Sequence, residues 1–245
     1  MPFLWDKPPR VVGHRGSPQE APENTLASFR AALAAGAAAV ELDARLTRDG
    51  EVVVFHDARL GRTAPGEAAV ESLDAREVVS LDAGSWFAPA FASERVPTLA
   101  QALRAMPQAL VNVEIKADAA NADALPAAVL AVLRKENAVE RALVSSFDPD
   151  LAAEYAELSG RPAGAIAAFD PDPADLDAWK DLAYVMLARE VAAGPGLDEA
   201  LAAGKRVLVW TVNDPQEAKG LLARGASGVI TDRPGPLLRS GATGA

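Results

Sequence analysis

Short apolar runs alternate with alanine-rich helical stretches along almost the whole chain, and this alternation constrains the fold more than any other feature. The strand candidates are Val11–His14, Ala38–Asp43, Leu110–Ile115, Ala142–Ser146, Ala163–Ala167, Ala183–Leu187, Arg206–Trp210 and Gly228–Thr231. Helical patterns fall between them, near 24–35, 98–106, 122–136, 149–158, 173–180, 197–203 and 214–223. Repeated strand–helix alternation argues for a parallel sheet covered by helices. Eight such strands in 245 residues fit an α/β chain of the (β/α)8 barrel type, which commonly occupies about 250 residues.

A further apolar run, Glu51–His56, follows the second strand after only a short link. Parallel neighbours need a crossover of about a dozen residues, so this run must return antiparallel as a hairpin outside the barrel. If Asp49-Gly50 makes a two-residue turn, His56 stands directly across from Asp43; a three-residue loop or a bulge would break that register. Residues 57 to about 96 are the least barrel-like part and read as an insertion after the second barrel strand. Trp86, Phe87 and Phe91 in this segment fit either a small local core or a lip over a pocket. The chain is therefore expected to form a single barrel domain over 1–245, with its small-residue-rich end, Gly235–Ala245, frayed.

Charge and composition narrow the function classes. Thirty-four acids against twenty-four bases give a net charge of −10, which disfavours nucleic acid and other polyanionic partners. A small anionic substrate is compatible if the site carries its own positive charge. Without cysteine, disulfides, thiolate metal sites and cysteine nucleophiles are all excluded. The opening run MPFLWDKPPR is not a signal-peptide core and no stretch is long enough for stable membrane insertion, so a cytoplasmic location is the expectation. Nothing in the sequence speaks to oligomeric state.

The polar residues at the strand ends carry the chemistry. In a parallel barrel, functional groups gather at the carboxyl-terminal ends of the strands. His14-Arg15-Gly16 closes the first strand, Glu41 and Asp43 end the second, Glu114 and Lys116 end the third, and Trp210 ends the seventh. Residues two apart share a strand face, which pairs Glu41 with Asp43 and Glu114 with Lys116. Three converging carboxylates need compensation, and a hard divalent cation (Mg²⁺ or Ca²⁺, with Mn²⁺ also suitable) supplies it through oxygen ligands. The chain has only two histidines, and both fall beside this cluster, as a general acid and a general base require. Arg15 and Lys116 offer positive charge for a phosphate. Together these describe a phosphoryl-transfer site, and no G-x-S-x-G, Walker A or H-E-x-x-H pattern competes.

The runs HRGSPQEAPENTLASF, VELDARLTRDGEVVVFHD, VNVEIK, WTVND and GVITDRP resemble those of glycerophosphodiester phosphodiesterases, in order and over almost the whole chain. The resemblance implies His14 and His56 as the acid–base pair, with His56 also near the metal in some descriptions. It further implies Glu41, Asp43 and Glu114 as metal ligands, Arg15 and Lys116 as phosphate holders, and Trp210 against the carbon side of glycerol. On the residues alone, Trp210 reads equally as a rim aromatic over the core. Asn24 reads first as a helix N-cap, and Phe147 either lines the pocket or packs. The implied reaction converts a glycerophosphodiester, a small-molecule phosphodiester substrate, into sn-glycerol 3-phosphate and an alcohol. Two other readings stand beside it. A lysophospholipase D-type activity would want a long apolar groove, and a silent phosphometabolite-binding protein would want a missing ligand or histidine.

Overall fold

A computed structural model describes residues 3–241. Its strands are β1 (Val11–Gly13), β2 (Ala39–Leu46), β3 (Val52–Val54), β4 (Leu110–Ile115), β5 (Ala142–Ser146), β6 (Ala163–Ala167), β7 (Tyr184–Ala188), β8 (Arg206–Trp210) and β9 (Gly228–Thr231). All but β3 run parallel in the order β1-β9-β8-β7-β6-β5-β4-β2, and pairing of β1 with β2 closes the ring. The fold is thus a closed eight-stranded parallel barrel with β3 antiparallel on the outside of β2.

Alternation along each strand builds two cores. On β2, Val40, Leu42, Ala44 and Leu46 face outward and pack under the helices, whereas Ala39 points inward, as period two requires. The inner core combines Val12, Ala39, Leu143, Ile166, Tyr184, Met186, Leu208 and Ile230. Phe3 and Trp5 plug its amino-terminal mouth. Trp5 Nε1 donates to the Arg141 carbonyl at 3.0 Å, and the Tyr184 hydroxyl donates to the Trp5 carbonyl. With one mouth filled by apolar side chains, the other is left for polar chemistry.

Helix starts reuse one local device. The helices Pro149–Ser159, Pro173–Ala178 and Pro215–Ala223 each begin with an aspartate cap followed by proline, at Asp148, Asp172 and Asp214. The carboxylate accepts free first-turn N–H groups, and proline occupies a position that needs none.

The hairpin register differs from the two-residue expectation. Ala44 faces Val54 and Leu46 faces Val52, and the Phe55 N–H donates to the Asp43 carbonyl at 3.0 Å. Asp43 is therefore opposite Phe55, not His56. The loop has three residues, Arg48-Asp49-Gly50: the Gly50 N–H closes a turn on the Thr47 carbonyl, and Gly50 takes φ 83°. A turn followed by a left-handed glycine is the next commonest hairpin closure, and it shifts pairing by one residue.

Between β3 and the helix Leu99–Ala105 lies a short helix, Ala75–Val78, and a separate small core of Val53, Phe55, Ala64, Val70, Val78, Ala83 and Val96. Trp86, Phe87 and Phe91 stack edge-to-face on one another outside that core, with Trp86 exposed. The chain end also departs from expectation, since Pro234–Arg239 is helical with Leu237 fully buried. Residues 242–245 of the expected frayed end lie outside the described residues. No helix among the described residues is long and apolar enough to cross a membrane.

Candidate active site

The carboxyl-terminal mouth holds a cavity of about 250 Å³ lined by His14, Arg15, Glu41, His56, Asn112, Glu114, Lys116, Phe147, Ile166, Met186, Trp210 and Ile230. Register explains the carboxylates. Asp43 pairs with Glu114, and Glu41 with Asn112, on neighbouring parallel strands. Glu41, Asp43 and Glu114 each bring a carboxylate oxygen within 4.8 Å of the others.

Their partners divide unequally. Asp43 is fully buried, and Lys116 Nζ sits 2.7 Å from its Oδ1, with Arg15 Nε 3.3 Å from its Oδ2. Lys116 also pairs with Glu114. Glu41 accepts the Arg15 backbone N–H at 2.9 Å through Oε2, whereas its buried Oε1 has no hydrogen-bond partner among the described residues. Burial pushes all three carboxyls up. Lys116 and Arg15 reverse this at Asp43 and hold it well below its usual range. Glu41 ends well above the usual range because Asp43 adds repulsion to burial, and Glu114 is raised for the same two reasons. Lys116 loses by burial but gains more from Asp43 and Glu114, so it stays firmly protonated.

This arrangement fits a divalent cation. The donors are hard oxygens, and one buried carboxylate oxygen is unpartnered. Glu41 and Glu114 are raised because Lys116 and Arg15 do not fully offset the acids around them, and a doubly charged ion would let all three carboxylates ionise together.

Both imidazoles are oriented by carboxylates. His14 Nδ1 donates to Asp232 Oδ1, and His56 Nδ1 to Asp57 Oδ1, each at 2.7 Å. An ionised carboxylate only accepts, so the proton sits on Nδ1 and Nε2 is the free proton-transfer atom in each ring. Burial lowers the His14 pKa, but Asp232 and Glu41 outweigh it and leave it raised. Burial also leads at His56, where Lys116 and Arg15 reinforce it against Asp43 and Asp57, and the result is lowered.

The loop after β1 is shaped by glycine. Gly16 has φ 94°, and a Cβ there would fall 2.3 Å from Ser28 Oγ, so no other residue fits. The turn sets Arg15 (φ 50°) against Asp43 and Glu23.

Asn24 is not the helix cap; Thr25 is, accepting the Ser28 N–H. Buried Asn24 instead donates to Asp43 Oδ2 at 2.6 Å and accepts the Asp43 N–H. Sequence reasoning also missed the parts played by Asp57, Asp232, Arg45 and Arg62. Asp57 and Asp232 stand within the runs FHD and ITDRP, and an acid beside each of these motifs was the available signal. Arg45 donates twice to the His56 carbonyl, at 2.9 and 2.6 Å, fixing that residue where the hairpin pairing ends. Trp210 donates through Nε1 to the Met186 carbonyl at 3.0 Å and meets Phe147 edge-to-face, with centroids 5.6 Å apart.

The sequence profile of the glycerophosphoryl diester phosphodiesterase family matches residues 14–236. A glycerophosphodiester phosphodiesterase of Caldanaerobacter subterraneus subsp. tengcongensis is 31% identical over 241 residues, covering 93% of this chain and 96% of that protein. An Oleispira antarctica phosphodiesterase, solved in complex with its product sn-glycerol 3-phosphate, superposes with a TM-score of 0.86 at 30% identity, covering 95% of this chain and 96% of the other. A glycerophosphodiester phosphodiesterase from Agrobacterium tumefaciens gives 0.81 at 28% identity, covering 94% and 99%.

Proposed function

The chain belongs to the glycerophosphoryl diester phosphodiesterase family, and from that premise we propose that it hydrolyses small glycerophosphodiesters to sn-glycerol 3-phosphate and an alcohol. One observation carries the reading. Two imidazoles, each with Nδ1 tied to a carboxylate, line the same cavity as a buried three-carboxylate cluster.

Glu41, Asp43 and Glu114 would hold one divalent cation, with Mg²⁺, Ca²⁺ and Mn²⁺ all suited to the donors. When bound, it supplies Lewis-acid stabilisation of charge on the phosphoryl oxygens. Arg15 and Lys116 bind the phosphate, and Trp210, with Ile166, Met186 and Ile230, receives the glycerol carbons. His56, with its lowered pKa, takes the proton from the attacking oxygen through Nε2. His14, with its raised pKa, gives a proton through Nε2 to the leaving alkoxide as the P–O bond breaks. The attacking oxygen is water or the substrate's own 2-hydroxyl; the second route makes a cyclic phosphate that water then opens with the histidine roles reversed. The rate should fall on the acid side as His56 gains a proton and on the alkaline side as His14 loses one.

A small head group is favoured over a lysophospholipid. The adjoining open cavity is lined by Arg45, His56, Asp57, Glu114, Lys116 and Asp118, with Ala58, Ala117 and Phe147 as its apolar side chains, so an acyl chain leaving the site would run past ionisable groups. Trp86, Phe87 and Phe91 line neither cavity. The test assays release of the head-group alcohol from glycerophosphocholine, glycerophosphoethanolamine and a lysophospholipid, before and after chelation. Release from the first two, lost on chelation and restored by added cation, is expected. Activity that survives thorough metal removal would overturn the carboxylate assignment.

A further inference from the structure

Arg62 lies outside the barrel, in the segment that follows β3, and its guanidinium reaches back to grip two acids at once. Nη1 and Nη2 donate to the two carboxylate oxygens of Glu23, each at 2.8 Å. Nε and Nη2 donate to Asp57 at 2.7 and 3.0 Å. Both acids have a second partner in the cavity wall. Glu23 Oε1 accepts Arg15 Nη1 at 2.8 Å, and Asp57 Oδ1 accepts His56 Nδ1 at 2.7 Å. Paired forks of this kind fix direction as well as distance, and a lysine cannot reproduce them because it offers a point charge.

We infer that Arg62 is a positioning residue that locks the Arg15 guanidinium, through Glu23, and the His56 ring, through Asp57, into one fixed relation. The roles of those two residues rest on the reading of the site given above, but the linkage itself is geometric. Without Arg62, Glu23 and Asp57 would each keep one partner and lose the other. Arg15 would then be free to swing in its binding of phosphate, and His56 to tilt from its line of proton transfer. A single residue of the outer segment would thereby act on both binding and turnover.

The test uses Arg62→Gln and Arg62→Lys, with Arg48→Gln as the control, because Arg48 pairs with Asp74 on the surface and touches nothing in the site. The two histidines of the chain make ring titration by NMR a two-signal experiment. In Arg62→Gln the His56 midpoint should rise, because Asp57 no longer shares its charge with a guanidinium while Asp43 and Lys116 stay in place. The His14 midpoint, governed by burial and by Asp232 and Glu41 with a smaller opposing part from Arg15, should move less. Inorganic phosphate should bind about tenfold more weakly, with kcat lower and KM higher by comparable factors. Arg62→Lys keeps the charge but not the forks, so it should bring the His56 midpoint back toward wild type without restoring the phosphate affinity, and it serves as the informative variant if Arg62→Gln does not fold. Unchanged His56 titration and phosphate affinity in either folded variant, with only a lower Tm, would reduce Arg62 to a surface tether and overturn the inference. Neither NMR nor phosphate binding needs turnover. A wild type inactive on every glycerophosphodiester would therefore sink the proposed function and leave this inference to be judged separately.

Discussion

The first half of the chain and the second half contribute opposite chemistries to one cavity. From β1 to β4 and their loops come His14, Arg15, Glu41, His56, Asn112, Glu114 and Lys116, all polar. From β5 to β9 come Phe147, Ile166, Met186, Trp210 and Ile230, all apolar or aromatic. The division lies along the chain as well as in space, so a diester that is charged at one end and carbon-rich at the other has one natural orientation. Asp232, at the end of β9, crosses the seam by holding His14 Nδ1 from the apolar side. Rate should therefore be controlled from one half and affinity for the glycerol end from the other.

The largest effect expected from breaking the polar half comes from its imidazoles. His14→Ala and His56→Ala should each lower kcat at least about a hundredfold, the lower range for general acid–base groups. Near-normal steady-state turnover in either variant would remove that ring from the mechanism. Asn24→Ala should come next. It takes away the hydrogen bonds that orient Asp43, and supporting contacts of this type typically cost about ten- to a hundredfold in metal affinity. Cation titration of activity measures it, and an unshifted midpoint would show that Asn24 only packs. For the apolar half, Trp210→Ala should raise KM about tenfold while kcat stays within a few-fold, the scale of one lost apolar wall in a pocket. A pure kcat loss would move Trp210 to the chemical side of the comparison.

The smallest effect concerns stability at low pH. Burial raises the Asp57 carboxyl, but hydrogen bonds from Arg62 and His56 outweigh it and bring the pKa down to about 2. A carboxyl depressed by folding stabilises the native state above its unfolded pKa of about 3.9 and loses that contribution as pH falls through the folded value. The Tm difference between wild type and Asp57→Asn should therefore be present at pH 6 and close as pH falls toward 2. A difference that persists in acid would mean that the clamp does not depend on this charge.

Strand bounds were legible wherever an apolar run stopped abruptly. Leu110–Ile115, Ala142–Ser146, Ala163–Ala167, Arg206–Trp210 and Gly228–Thr231 are observed as the sequence pattern marks them. β2 runs on to Leu46 because β3 gives its last residues a partner, as the hairpin reading of Glu51–His56 requires. The helices Arg189–Ala193 and Pro234–Arg239 are too short to show periodicity. In the site, Asn112, Ile166, Met186 and Ile230 line the cavity without standing out in the sequence, but the polar groups at strand ends did, because they are unusual there. Their supports did not, since Asn24, Arg45, Asp57, Arg62 and Asp232 look like ordinary loop and capping residues until tertiary contacts bring them in. Asn24 was ambiguous for a physical reason: the same side chain that caps a helix can orient a buried carboxylate. His56 was associated with the acids through an incorrect register, yet it lines the cavity with them because pairing stops at Phe55 and Arg45 holds the His56 carbonyl.

The joining of the two halves is tested most directly by comparing two diesters that share a phosphate and a leaving alcohol but differ in whether glycerol is present. With the cation supplied, kcat/KM should be much higher for glycerophosphoethanolamine than for its methyl phosphoethanolamine counterpart. Trp210→Ala should shrink that preference, while His56→Ala lowers both rates together. Equal rates on the two diesters in the wild type would contradict the account, because the apolar half would then have no part in choosing the substrate.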